Sequence, residues 1–303
     1  MSSPFEVLQF ETRTALPLTE ISAFALRQGA DGREVVAVAD DDFGILRVPF
    51  DGGGSLGEVD RCDAWRSLPV DVLAASEGSE FEGVACDGDG RVLLLQEGPS
   101  RVLVLSPALD RLLQTIQLTV EPDEPGFGKK WHKDDNARGE ALLLMRDGHL
   151  LVAKQRKPIR LIEFGPASDD PLGVSPDTLL ADGEPFAVPA GEAAASYVVL
   201  ASWGLAGVAK DDFESVNDIA ADADGRLFVL SSRSRRIACI QERLRPDEEQ
   251  AAVTRVWDLP GEVPGGEDDR PEALALLPPG AALVGIDTKK PGDNVALVRG
   301  LDA

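Results

Sequence analysis

One short pattern recurs along this chain and restricts the folds open to it: a brief apolar strand, an Asp-Gly turn, and a second apolar strand. It is clearest in Phe81-Glu-Gly-Val-Ala-Cys-Asp-Gly-Asp-Gly-Arg-Val-Leu-Leu-Leu-Gln-Glu. It returns at Gly139-Glu-Ala-Leu-Leu-Leu-Met-Arg-Asp-Gly-His-Leu-Leu-Val and at Val216-Asn-Asp-Ile-Ala-Ala-Asp-Ala-Asp-Gly-Arg-Leu-Phe-Val. A weaker copy starts at Pro271, and a first copy at Ile21 reaches its turn, Asp31-Gly32, with two extra residues. The turn glycines Gly32, Gly90, Gly148, Gly225 and Gly280 are separated by 58, 58, 77 and 55 residues. Such spacing suits four-stranded blades; after the second copy, Arg101 to Leu105 and Leu112 to Val120 supply the third and fourth strands. The chain is therefore expected to be all-β, a five-bladed β-propeller forming a single domain over residues 1–303, with six blades as the alternative. The long third interval holds Ala167 to Ala195, rich in Pro, Asp, Gly and Ala, which reads as an extended loop. The last copy has three strands before Ala303, so the alternating segment Phe5 to Thr12 is expected to complete it and remove an open edge.

Eight residues before the turn glycines stand Glu82, Glu140, Asn217 and Glu272, with Ser22 at the matching place in the first copy. Carboxylates on an innermost strand are penalised by desolvation unless paired, hydrated or metal-bound. An all-oxygen set of this kind suits a hard cation, Ca²⁺ more readily than Mg²⁺, and Asp218 is a further candidate ligand. The competing reading is a water-filled channel with hydrogen-bonded or partly protonated acids.

The loops expected on the same face are basic: Lys154-Gln-Arg-Lys157, Arg233-Ser-Arg-Arg236, Lys289-Lys290 and Lys129-Lys130-Trp131-His132-Lys133. The candidate ligand-binding residues are Lys130, Trp131, Lys154, Arg156, Arg233, Arg235 and Lys289, and His132 is the candidate general acid or base. Trp131 could be a ligand platform or a loop anchor. The bases could equally balance nearby acids such as Asp134, Asp135, Asp287 and Asp293. No phosphate-binding Gly-rich loop, Gly-x-Ser-x-Gly, His-Glu-x-x-His or Cys-x-x-Cys occurs.

The net charge of −23 opposes attraction to nucleic acid or an anionic membrane. Three unspaced cysteines suggest neither a disulfide framework nor a zinc site, and no run of apolar residues is long enough for a span. The start of the chain has no leader pattern, so a cytoplasmic location is expected, and no protein partner is predicted.

The phrases Phe81-Glu-Gly-Val-Ala, Arg138-Gly-Glu-Ala-Leu, Leu151-Val-Ala-Lys-Gln-Arg-Lys-Pro and Leu230-Ser-Ser-Arg-Ser-Arg-Arg resemble the SdiA-regulated and phytase-like propeller families over residues 15 to 300. That resemblance implies calcium at the channel acids Glu82, Glu140, Asn217 and Glu272. Ala141 departs from it, standing where a glycine is expected. A more distant likeness is to calcium-dependent lactonase and phosphotriesterase propellers. Three functions follow as expectations: a calcium-binding propeller that captures a small phosphate- or carboxylate-bearing molecule, a metal-dependent enzyme acting on a phosphate ester, diphosphate or lactone, and a protein-interaction scaffold.

Overall fold

The computed structural model describes the chain apart from residues 1–4, 30–31, 54, 64–67, 70–72, 74–77, 135, 137, 192–193, 209–211, 261–268, 291 and 302–303, and apart from the side chains of residues 12 and 13. The turn residue Asp31 and the rim acid Asp135 thus lie outside the described residues.

Two N-terminal strands, β1 (Glu6–Val7) and β2 (Gln9–Thr14), precede a series of antiparallel runs. The first run is β3 (Ile21–Gly29), β4 (Gly32–Ala39), β5 (Gly44–Pro49) and β6 (Asp60–Asp63). The next is β7 (Phe81–Cys86), β8 (Val92–Gln96), β9 (Arg101–Leu105) and β10 (Leu112–Thr119). Then come β11 (Gly139–Leu144), β12 (Leu150–Lys154), β13 (Arg160–Gly165) and β14 (Ala195–Ala206). They are followed by β15 (Asp218–Ala221), β16 (Leu227–Ser231), β17 (Arg236–Ile240) and β18 (Gln250–Asp258). Finally β19 (Arg270–Leu277), β20 (Ala281–Asp287) and β21 (Val295–Arg299) take β2 as their fourth strand. Of the stretch expected to be a loop, 167–195, the described residues up to 194 contain single bridges but no strand, and Ala195 opens β14.

The leading strand of each run faces its counterparts in a ring: β3 lies against β7, β7 against β11, β11 against β15, β15 against β19, and β19 against β3. Burial follows this arrangement. The second strands β8, β12 and β16 are buried at every position, because neighbouring sheets cover both faces and select continuous apolar runs. The outer strand β10 alternates buried and exposed positions, as a strand with one wet face does. Parallel pairing of β10 with β14, of β14 with β18, and of β1 with β18 joins three runs and β1 into one 13-stranded sheet. Side chains such as Trp203, Trp257, Phe81 and Phe164 fill the space between sheets and are essentially inaccessible.

The turns repeat their chemistry as well as their sequence. In the second run Gly90 N–H donates to Asp87 O at 2.9 Å while the Asp87 side chain accepts from Arg91 N at 2.9 Å. Gly225, Asp222 and Arg226 do the same in the fourth run. Both glycines have positive φ, +78° and +75°, which a side chain would strain. Cys62, Cys86 and Cys239 are free thiols.

Candidate functional site

The ring residues are aimed by breaks in strand register. The β7–β8 ladder skips between Phe81 and Gly83, leaving Glu82 unpaired; β11–β12 skips at Glu140, β19–β20 at Glu272, and β3–β4 at Ser22. A bulge places one extra residue on one strand and re-aims its side chain. In the fourth run Asn217 stands directly before β15, its N–H bonded to Leu230 O at 2.8 Å. The structure brings Glu82, Glu140, Asn217 and Glu272 together at one end of the ring.

Two more acids join them from the ends of second strands. Asp40 follows β4 and lies beside Glu82, while Glu97 follows β8 and lies beside Glu140. Burial, then the charges of Asp40, Glu97 and Glu272, holds the Glu82 carboxyl well above its ordinary range. Glu140 is raised by burial and by Glu97, Glu82 and Glu272. Burial lifts Glu97 to about 7 against the opposing bond from Arg138 N–H, and lifts Glu272 to about 8 with help from the Asp287 charge.

Lys154, at the end of β12, is 1% exposed. Burial lowers its pKa to about 8, against the charges of Asp134, Glu97 and Glu140. Its Nζ donates to Arg156 O at 2.6 Å. The same lysine lines a cavity of about 240 Å³ with Lys130, Lys133, Asp134, Arg156 and Lys157, so it stands between the acids and a basic pocket.

Several expected site residues have other work. Asn217 Oδ1 accepts from Ser215 Oγ at 2.8 Å and from Ser232 N–H at 3.1 Å. The backbone donor fixes the amide orientation, so the oxygen expected as a metal ligand is turned away and Nδ2 points to Glu272 Oε1, 3.5 Å off. Asp218 is also removed from the ligand set: its carboxylate accepts from Ile219 N at 2.8 Å, Leu274 N at 2.6 Å and the Phe24 backbone. It thereby ties β15 to β19 and β3. An Asp218→Asn substitution turns an amide NH₂ toward one of these N–H groups and is expected to cost about 1–3 kcal/mol, measured by denaturant unfolding.

Trp131 is an anchor and not a platform. It is 3% exposed and packs on Phe127 and Phe164, fixing the short helix α1 (Gly128–Trp131) that carries Lys130. His132 does not face the acids: its Nε2 bonds Val120 O at 2.7 Å, and it lines a separate surface hollow with Pro99, Gln117 and Arg138. Arg233 and Lys289 are exposed, and the Arg235 guanidinium donates to Asp269 O at 3.2 Å; none lines the basic cavity.

The donor set of Glu82, Glu140, Glu272, Asp40 and Glu97 is all oxygen and lacks sulfur or imidazole, which fits a hard cation. Among the described residues no three His, Cys, Asp or Glu side chains are gathered as a metal site.

A ring of antiparallel sheets with polar residues gathered at one mouth defines a β-propeller. The sequence matches no family model and no curated protein, so membership of the SdiA-regulated or phytase-like family is not shown. Among solved structures, the PQQ-bound aldose sugar dehydrogenase of Streptomyces coelicolor is similar, with 13% identity over 96% of this chain and 97% of that one and a TM-score of 0.51. A gluconolactonase from Xanthomonas campestris gives 14% identity over 96% and 89%, with a TM-score of 0.46. A virginiamycin B lyase from Staphylococcus aureus gives 10% identity over 96% and 100%, with a TM-score of 0.45. At such identities the likeness shows the fold alone.

Proposed function

We propose that this chain is a five-bladed propeller, one blade per four-stranded run, whose channel mouth is a cation-dependent catalytic site for a small anionic phosphate ester, diphosphate or lactone. The observation that carries this reading is Lys154, buried between the channel acids and the basic cavity with its pKa lowered to about 8. An amine so placed exchanges a proton near neutral pH, as acid–base chemistry requires.

Glu82, Glu140 and Glu272, flanked by Asp40 and Glu97, would hold the cation, and calcium suits these oxygen donors best. When bound, the ion would polarise a carbonyl or phosphoryl oxygen. Lys154 then holds or moves the proton at the reacting atom, and the basic cavity orients the anionic end of the substrate. The Asn217 amide, its oxygen fixed by Ser215 and Ser232, keeps Glu272 in place. A second reading, capture of an anionic ligand without turnover, is favoured by the cavity itself.

The test is elemental analysis of protein purified without chelator, together with turnover of a panel of lactones and phosphate esters. Near-stoichiometric calcium is expected in the wild type and none in Glu82→Gln/Glu140→Gln. Lys154→Met is expected to keep its calcium and lose turnover. Turnover without any bound metal would overturn the cation reading, and calcium binding with no turnover of any ester would leave the capture reading.

A further inference from the structure

This chain has 53 acidic and 30 basic residues, so a base on its surface meets an acid readily. Arg27, Arg91, Arg226, Arg236, Arg255 and Arg299 all sit in ion pairs. The bases of the cavity break this pattern. Among the described residues Lys130, Lys133, Arg156 and Lys157 form no ion pair, although Asp134 lies in the same wall. Arg156 donates through Nη1 to the side chain of Gln155, and its Nε is buried without a hydrogen-bond acceptor, as are Arg47 Nε and Arg160 Nε elsewhere. Cationic side chains without an ion pair among the described residues around one hollow, in a chain of net charge −23, mark a place kept for an anion.

We propose that this cavity is a phosphomonoester subsite: it takes the phosphate of a small soluble molecule, whose remainder extends past Lys154 toward the channel acids. The proposal rests on the reading of the mouth as a small-molecule site and adds the class of substrate. A carboxylate offers one charge and two oxygens, whereas a phosphate monoester carries a charge of about −1.5 to −2 at pH 7 and three strong acceptor oxygens. Among the described residues, five bases against one acid line the cavity, which matches the latter, and the planar Arg156 guanidinium is suited to phosphate oxygens. The small volume, about 240 Å³, admits a metabolite-sized ligand. The overall negative charge repels extended polyanions such as nucleic acid or an anionic bilayer.

Isothermal titration of metal-free protein in chelating buffer tests this, with inorganic phosphate, glucose 6-phosphate, acetate and phosphatidic acid vesicles as probes. Phosphate and glucose 6-phosphate are expected to bind, and acetate to bind at least about tenfold more weakly, as the loss of charge-assisted hydrogen bonds implies. Arg156→Met, and separately Lys133→Glu/Lys157→Glu at exposed positions, are expected to weaken phosphate at least about tenfold with the thermal midpoint unchanged. Equal binding of acetate and phosphate, phosphate affinity unchanged in both variants, or binding to vesicles alone would overturn the subsite. Calcium content of the same preparations separates the two readings: phosphate binding by protein that never holds calcium removes only the cation site, and calcium without phosphate binding removes only this one.

Discussion

Replacing Glu163 with alanine is expected to cost about 3–5 kcal/mol of stability, the range for breaking a buried charged pair from one side. Glu163 lies on β13, fully buried. Its carboxylate accepts from His149 Nδ1 at 2.7 Å, Leu172 N–H at 2.8 Å and Gly173 N–H at 3.0 Å. His149 in turn reaches Asp169 through Nε2 at 3.4 Å. One carboxylate thus fastens the strandless segment after β13 to the third run, and its loss strands two amides and a buried imidazole. Burial opposes charge on His149, but the bonds and charges of Glu163 and Asp169 outweigh it and raise its pKa above 6.5. A raised histidine contributes stability that is fully present below its unfolded pKa and lost as pH rises through its folded value. The stability gap between wild type and Glu163→Ala should therefore shrink as pH rises above the ordinary histidine range of about 6.5, as followed by urea unfolding. A gap under about 1 kcal/mol at the acid end would refute the clamp.

Much of this architecture was legible because turns and strand periodicity are local. The Asp-Gly turns of the second and fourth runs are held by their own aspartates, so their sequence announces them, and counting back from their glycines reaches Glu82 and Asn217. The bulges that aim Glu82, Glu140 and Glu272 were not legible, since a register shift depends on the partner strand. Asp40 and Glu97 were missed although a signal was available: Glu97, Gln155, Ser232 and Asp287 each lie seven residues past a turn glycine and form a second polar row. The roles of Asn217 and Asp218 depend on what a neighbouring strand donates, Ser232 N–H in one case and Leu274 N–H in the other. His132 was drawn by composition, being a histidine among lysines. The buried indole of Trp131 fixes the loop so that the lysine before it faces the cavity and the histidine after it bonds Val120 O. Loop geometry of that kind is tertiary, and residue types alone do not carry it.

The channel acids make the second large prediction, because their arrangement opposes stability wherever no cation neutralises it. For a carboxyl whose folded pKa is raised, the folded state holds more protons than the unfolded one between the two values, so stability falls as pH rises through that window. Glu97 moves from 4.5 to about 7 and Glu272 from 4.5 to about 8, which sets the window from about pH 4.5 to about pH 8. A displacement as large as that of Glu97 corresponds to about 3 kcal/mol. In chelating buffer the wild type should lose stability steadily across this window. Glu82→Gln/Glu140→Gln removes two of the crowded, titrating carboxyls and should be more stable than wild type by about 2–4 kcal/mol near pH 8, with a flatter profile. Added calcium should raise the wild-type curve at high pH and leave that of the double variant where it was. Chemical unfolding at several pH values, with and without calcium, reads all of this. The same slope in both proteins would mean that the acids are relaxed by water and carry no strain for a cation to relieve. A variant that gains stability and loses calcium would identify these carboxyls as kept for binding, at the expense of the fold that presents them.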